Sequence, residues 1–302
     1  MSRFGISSAS LSALIFGFCV VASAQDFRDE FDGNTLNSRW NVATNYSFPG
    51  NAADFRLTPT IADGKATLAF STYNPTPSDG EKKFLGTEIF TSQAFDRGVA
   101  GRRFEARIRM GANVPAGLVG GFFLYTPPST FADEIDFELL TKQIVANPSN
   151  NPILTTSWND WQAPGATLRD GVHHQDNTTL PSFLAGVPGL DLTQFNTFTI
   201  AWLPDRIDWL INGNLISSWS DALPDAPMTV RLNFWRPRPR NFFRRRSTQV
   251  WSEPCCTGST YTMEVDYVEV AAIPEPTVWA GVFACGVCAY AVIRRRRANM
   301  IA

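Results

Sequence analysis

The sequence predicts an all-β protein built as a sandwich of two packed sheets, and three observations carry that prediction. Between Asp26 and Ala272 the chain runs as short alternating apolar and polar segments divided by turn signals, with no internal repeat and no amphipathic helical period. Asn212-Gly213 stands between two such segments and favours a tight type I′ hairpin turn. At 302 residues, with 44% hydrophobic and 18% charged content, the chain can bury one large core, and sandwiches of this size are commonly single domains.

Taken in order, Arg102 to Met110 places Phe104, Ala106, Ile108 and Met110 on one face and Arg103, Glu105, Arg107 and Arg109 on the other. Gly120 to Pro127 is an aromatic β-like run, and Asp133 to Leu140 follows it with apolar Ile135, Phe137 and Leu139 on the rear face. Phe198, Ile200 and Trp202 share a face, as do Ile207, Trp209 and Ile211, so Trp202 and Trp209 read as core. Met228 to Trp235 is a further strand. In Tyr261 to Val270 the residues Met263, Val265 and Tyr267 alternate with polar ones until the phase changes beyond Tyr267, marking a bulge or a strand covered on both faces. Asn147 to Asn151, Gly171 to Pro181 and Arg236 to Arg246 read as surface loops, the last with six arginines in eleven residues.

Both ends look like address labels. Arg3, an apolar stretch around Leu11 to Val21 and Ala22-Ser23-Ala24 fit a secretory signal peptide over residues 1–24. Residues 25–272 then form the folded domain. Residues 273–302 hold Pro274-Glu275-Pro276, seventeen mostly apolar residues from Thr277 to Ile293, and Arg294 to Arg297. As a helix the apolar stretch spans roughly 26 Å, enough to cross a bilayer core, with the arginines on the cytoplasmic side. This order resembles the PEP-CTERM sorting signal of Gram-negative envelopes, which implies export to the cell envelope, a membrane anchor through the C-terminal helix and an exosortase-type processing enzyme as partner.

Composition excludes other classes. Removing Arg3, Glu275 and Arg294 to Arg297 takes the net charge from −2 to −6, the wrong sign for a nucleic-acid binder. Of five cysteines only the adjacent Cys255 and Cys256 fall in the central domain, so there is no disulfide framework; the pair can close a strained ring, link to another chain or stay reduced. The only histidines, His173 and His174, have no partners at zinc spacing and stand in a polar stretch that gives a serine nucleophile little to work with. No Gly-rich phosphate loop follows a strand.

The chemistry lies in Asp133 to Leu140. On a strand, Glu134, Asp136 and Glu138 all project from one face. An edge strand with a charged outer face is the bland alternative, but three like charges backed by an apolar rear face are costly and imply a use. Two glutamates flanking a shorter aspartate suit glycoside hydrolysis, where one carboxylate attacks the sugar and another protonates the leaving oxygen. Retention requires carboxyl groups roughly 5 to 5.5 Å apart, whereas the two glutamate Cα atoms on a flat strand stand ~13 Å apart. A curved sheet with these residues on its hollow side is therefore expected, and the charge of Asp136 should hold a proton on one neighbour while the other stays ionised.

The chain resembles glycoside hydrolase family 16 through segments in the family's order: Phe27 to Gly33 with Trp40, Gly86-Thr-Glu88, Gly101 to Arg107, Phe122 to Tyr125, Glu134 to Glu138, Phe198 to Trp202 with Trp209 to Gly213, Asn233-Phe-Trp235 and Val265 to Val268. The resemblance implies a β-jelly-roll with a concave substrate cleft and a retaining endo-β-glucanase on β-1,3-1,4 or β-1,3 linkages. Glu134 would be the nucleophile, Glu138 the acid/base and Asp136 the assisting carboxylate. It implies sugar contacts from Glu88, Asn233 and Trp235, with Tyr125 beside them, no catalytic cofactor, and a structural calcium held in part by Asp266. The uninterrupted E-x-D-x-E spacing and Phe122 to Tyr125 look most like the lichenase branch.

Two departures bear on substrate. Ala132, behind Phe131, stands where lichenases carry a tryptophan, and Phe90 stands where they carry an arginine. Trp158 and Trp161 follow the catalytic strand in an order suited to a neighbouring strand, where sugar rings stack on aromatic faces. A monomer acting on a polysaccharide is expected; the alternatives are a transglycosylase on β-glucans and a non-catalytic carbohydrate-binding envelope or matrix protein.

Overall fold

The computed structural model describes residues 25–44, 46–48, 50–80, 82–126, 132–141, 152–161, 173–179, 191–238 and 258–274. They form sixteen strands. The first eight are β1 (Gln25–Asp29), β2 (Trp40–Val42), β3 (Ala53–Phe55), β4 (Thr60–Ala62), β5 (Lys65–Ser71), β6 (Phe84–Phe95), β7 (Arg102–Met110) and β8 (Val119–Tyr125). The rest are β9 (Ala132–Leu140), β10 (Pro152–Trp161), β11 (His173–Thr179), β12 (Asn196–Trp202), β13 (Ile207–Ile211), β14 (Asn214–Trp219), β15 (Met228–Trp235) and β16 (Thr260–Ala272). One layer runs β11-β10-β9-β8-β15-β6 and the other β5-β16-β7-β12-β13-β14, joined where β6 meets β5. The two-layer, all-β architecture expected from the alternating pattern is what the chain adopts.

The layers meet through the rear faces of the strands. Phe137 on β9 packs edge-on to Phe198 on β12 at 5.5 Å, and Phe70 on β5 to Phe234 on β15 at 6.0 Å. Ile135, Phe137, Leu139, Trp202 and Trp209 are all fully buried, as their alternation requires. Gly120 is needed where β8 crosses this core: a Cβ there would stand 2.2 Å from Met110 Cε and 2.6 Å from Met263 Sδ. Trp209 does more than fill space. Its indole N–H crosses between the layers and donates to the carbonyl of Asp136 at 3.0 Å, fastening the middle of β9 from behind.

Two expectations need correction. Gly171 to Pro181, read as a loop, contains strand β11, paired antiparallel to β10 from Trp158–His173 to Pro152–Thr179. It is the edge of its layer, and an edge strand of polar residues carries no apolar alternation to reveal it. In β16 the register shifts between Val265 and Tyr267, one step earlier than expected, so Tyr267 turns outward and its hydroxyl donates to Glu105 at 2.8 Å. The hairpin at Asn212-Gly213 forms as expected, both residues having positive φ (50° and 76°) between β13 and β14. Asn147 to Asn151, Cys255, Cys256, the leader segment 1–24 and the C-terminal apolar segment lie outside the described residues. Among the described residues no helix is long and apolar enough to cross a membrane.

Replacing Trp209 by Phe keeps the aromatic packing and removes the indole N–H, leaving the buried acceptor behind β9 short of a partner. The expected cost is about 1–3 kcal/mol in urea unfolding, and an unchanged midpoint would show that the bond to Asp136 does not hold the layers in register.

Candidate active site

Strand β9 pairs with β8 on one side and β10 on the other without a register break across the acidic run. Glu134 therefore lies between Tyr125 and Trp158, Asp136 between Phe123 and Thr156, and Glu138 between Gly121 and Leu154. Residues directly opposite in an antiparallel ladder share a face, so Tyr125 and Trp158 flank Glu134 on the same side of the layer. Both are half-buried, as are Glu134 and Glu138, while Asp136 is buried. Gly121, opposite Glu138, makes room for the Asn233 side chain: a Cβ there would come within 2.3 Å of Asn233 Oδ1.

The three carboxylates cannot all be charged at little cost. Burial, then repulsion from Glu138, pushes Glu134 up to about 8; burial pushes Glu138 up to about 7. Asp136 lies well above the usual carboxylate range through burial and the charges of Glu134 and Glu138, against the hydroxyl and N–H bonds it receives from Thr156. Its Oδ1 has no hydrogen-bond partner. Near neutral pH the strand thus holds both protons and charge, the state needed for one carboxylate to attack while another donates.

Glu88, on β6, faces the same cleft but is not a free sugar ligand. Arg231 Nη1 donates to its Oε1 at 2.8 Å and Asn233 Nδ2 to its Oε2 at 3.2 Å, with all three residues buried. Burial raises Glu88 and this pairing opposes the rise. Asn233 keeps Oδ1 unpartnered. Trp235, also expected at the sugar, is only 4% exposed and packs edge-on against Phe48 at 4.9 Å, so it closes one end of the cleft floor more than it offers a platform.

Sequence reasoning missed two residues. Arg231 stands directly across from Phe90 in the β15–β6 ladder, with its guanidinium 4.7 Å from the Phe90 ring centroid and 4.9 Å from that of Tyr125. It favours the charged form of Glu134. A basic residue in the middle of a mostly apolar strand was the available signal. Tyr46 lies in an irregular segment bridged to Phe55, on whose ring it stacks, and is 42% exposed. Burial, then the charges of Glu88 and Tyr125, pushes its phenol up to about 12, with Glu134 adding to the rise.

Other expected residues lie elsewhere or are outside view. The side chain of Trp161 is outside the described residues. Of the arginine-rich segment, Arg236 is buried with its guanidinium 5.1 Å from the Phe84 ring, and Arg238 bonds Asp79 and the Asn51 carbonyl. These two are structural; Pro239 to Arg246 is outside the described residues. Asp266 is on β16 in the other layer, where its carboxylate is paired with the Arg107 guanidinium. No group of three His, Cys, Asp or Glu among the described residues could hold a metal ion.

A jelly-roll whose hollow face carries three clustered carboxylates between aromatic flanks defines a carbohydrate-cleaving enzyme, a glycoside hydrolase. The family model for glycosyl hydrolases family 16 matches residues 60–253, and the chain belongs to that family. It is 28% identical over 218 residues to the endo-1,3-1,4-beta-glycanase ExoK of Rhizobium meliloti (strain 1021), covering 70% of this chain and 68% of that one. It is 26% identical over 227 residues to a beta-glucanase of Bacillus subtilis (strain 168), covering 73% and 80%. Among solved structures, a beta-1,3-1,4-glucanase (lichenase) derived from a mouse hindgut metagenome superimposes with a TM-score of 0.62 at 21% identity, over 82% of this chain and 99% of that one. The Bacillus licheniformis beta-glucanase gives 0.59 at 20%, over 82% and 98%.

A carboxylate whose pKa is raised by folding binds more protons in the native than in the unfolded state between its two pKa values, so its contribution to stability falls as pH rises through that window. For Glu134 the window runs from the ordinary carboxylate value to about 8. Glu134→Gln should therefore melt above the parent at pH 8, by about 2–4 °C for each kcal/mol relieved, and converge on it at pH 4. A difference independent of pH would contradict the electrostatic account.

Proposed function

We propose that this chain is an endo-acting β-glucanase that cleaves β-1,3-1,4 or β-1,3 linkages with retention. The placement of Glu134, Asp136 and Glu138 on one face of β9, flanked by Tyr125 and Trp158, carries the reading. Glu134 attacks the anomeric carbon while Glu138 protonates the departing glycosidic oxygen; water then displaces the enzyme ester with Glu138 as base. Arg231 puts positive charge at the Glu134 end of the strand, but burial and the charge of Glu138 outweigh it and hold Glu134 at about 8, above Glu138 at about 7, so the division of roles rests on the family pattern and not on the order of these values. Asp136, with one oxygen free of partners between the two glutamates, is placed to share a proton with either. Tyr125 and Trp158 offer ring faces on either side of the attacking group. The substrates of the beta-glucanases to which the chain is similar support the choice of glycan.

The test is reducing-sugar release and product sizing on barley β-glucan, laminarin, xyloglucan, agarose and carrageenan. A β-glucan should be cut internally, and Glu138→Gln should slow turnover by about 10²–10⁴-fold. With an activated β-glycoside, azide should rescue Glu134→Ala to an α-glycosyl azide and Glu138→Ala to a β-glycosyl azide. No release from any glucan would overturn the reading, and products longer than the substrate would favour the transglycosylase.

The same proposal extends to location. Arg3, the apolar stretch ending at Ala22-Ser23-Ala24, and the Pro-Glu-Pro, apolar and arginine segments support an exported chain held in the envelope by its C-terminal helix until an exosortase-type enzyme acts on it. Recovered from an envelope-forming host, the mature chain should begin at Gln25; an intact Met1 terminus on the exported protein would refute the leader.

A further inference from the structure

Asp133 directly precedes the catalytic run yet belongs to neither its chemistry nor the core. Strand alternation turns it away from the cleft, and it is 1% exposed. A carboxylate so buried must be answered by hydrogen bonds. Its Oδ1 accepts the N–H of Asp160 at 2.9 Å, and its Oδ2 accepts those of Asp225 at 2.9 Å and Ala226 at 3.0 Å. Its own N–H donates to Thr126 Oγ1 at 2.9 Å, and its carbonyl accepts the Thr126 N–H at 3.0 Å. One residue therefore fastens three segments to the start of β9: the end of β8, the end of β10 and the turn that enters β15.

The end of β10 is where the cleft wall changes direction. Trp158 pairs with Glu134, but the next pair is Trp161 with Ala132, so β10 carries one residue more than β9 and bulges. Within the bulge Asp160 has a φ of 53°, a left-handed conformation that a non-glycine residue keeps only when its surroundings hold it there. The Asp160 amide is the group that Asp133 Oδ1 accepts. The bond thus holds the strained residue two places after Trp158.

We propose that Asp133 is a positioning residue for the glucanase reaction, seating Trp158 beside Glu134 as the platform for one pyranose ring by holding the β10 bulge closed. The proposal rests on the functional reading above and adds a determinant of substrate binding outside the three cleft carboxylates. The same carboxylate holds Asp225 and Ala226, so the wall carrying Trp158 and the strand carrying Arg231 and Asn233 share one anchor.

The test is a double-mutant cycle in the full-length chain with Asp133→Asn and Trp158→Ala, reading kcat, KM and melting temperature on the glucan that the parent cleaves. An asparagine has one acceptor oxygen and meets the remaining amide with N–H groups, so it loses part of the clamp at nearly constant shape. KM should rise roughly tenfold in Asp133→Asn with kcat within about twofold, and should not rise further when Asp133→Asn is added to Trp158→Ala. Losses that multiply in the double variant overturn the proposal, as they would mean that Asp133 acts on the fold at large. Should Asp133→Asn fail to fold alone, it is tested in the Asp160→Gly background, where glycine takes the left-handed conformation without strain and the bulge no longer depends on the clamp: Asp160→Gly alone should keep the parent's KM, and adding Asp133→Asn to it should raise KM by much less than tenfold. A tenfold rise in that background overturns the proposal too. A parent that cleaves no glucan is a failure of the functional reading instead, and the same cycle is then read by calorimetric titration with β-glucan oligosaccharides.

Discussion

The two-residue period of strand β9 is the constraint from which the rest of the structure follows. Because successive side chains point to opposite faces, a single nine-residue strand presents Glu134, Asp136 and Glu138 to the cleft while Ile135, Phe137 and Leu139 disappear into the core. Moving the strand by one residue would bury three carboxylates and expose three large apolar groups, a change no local adjustment could absorb. Register is therefore guarded from every side: by β8 and β10 in the plane, by the Phe137–Phe198 contact and the Trp209 bond from behind, and by Asp133 at the entry. Catalytic precision here is a by-product of packing that the fold needs anyway.

Electrostatics sets the second layer. Three carboxylates within one strand repel, and burial removes the water that would screen them. Among the described residues no direct counter-ion neutralises them, and no salt bridge there involves Glu134, Asp136 or Glu138. The nearby cation, Arg231, is paired with Glu88 and clamped between Phe90 and Tyr125. Its charge is felt at Glu134 without being spent there. A carboxylate locked to an arginine would be a poor nucleophile and a poor acid, so this indirect arrangement keeps the strand reactive at the expense of stability.

Much of this was legible in the sequence, because the alternation that makes a strand also declares which face is apolar. The core assignments of Trp202 and Trp209, the Asn212-Gly213 turn and the shared face of the three carboxylates all follow from period and turn chemistry. What stayed hidden depends on tertiary pairing. Trp235 reads as an aromatic next to the cleft, and only the arrival of Phe48 covers it. Tyr46 lies in an irregular segment with no period to announce it. Strand β11 is polar and pairs on one edge, so hydrophobic patterning carries no information about it. The acceptor role of Asp133 depends on amides 27 and 92 residues away.

The relation between Phe90 and Arg231 shows how a cleft can keep a charge while moving it. Position 90 carries phenylalanine where the lichenase pattern has arginine, which alone would remove a donor from the floor. The ladder, however, sets Arg231 directly opposite, on the adjacent strand and the same face. The guanidinium lies over the very ring that replaced it and extends to Glu88. A charge delivered from β15 instead of β6 approaches Glu88 and Tyr125 from the side nearer β8, and so closer to the reacting strand. The floor then presents an aromatic surface with its cation held inside, suited to a neutral sugar that stacks on rings and to a nucleophile that feels positive charge without being bound by it.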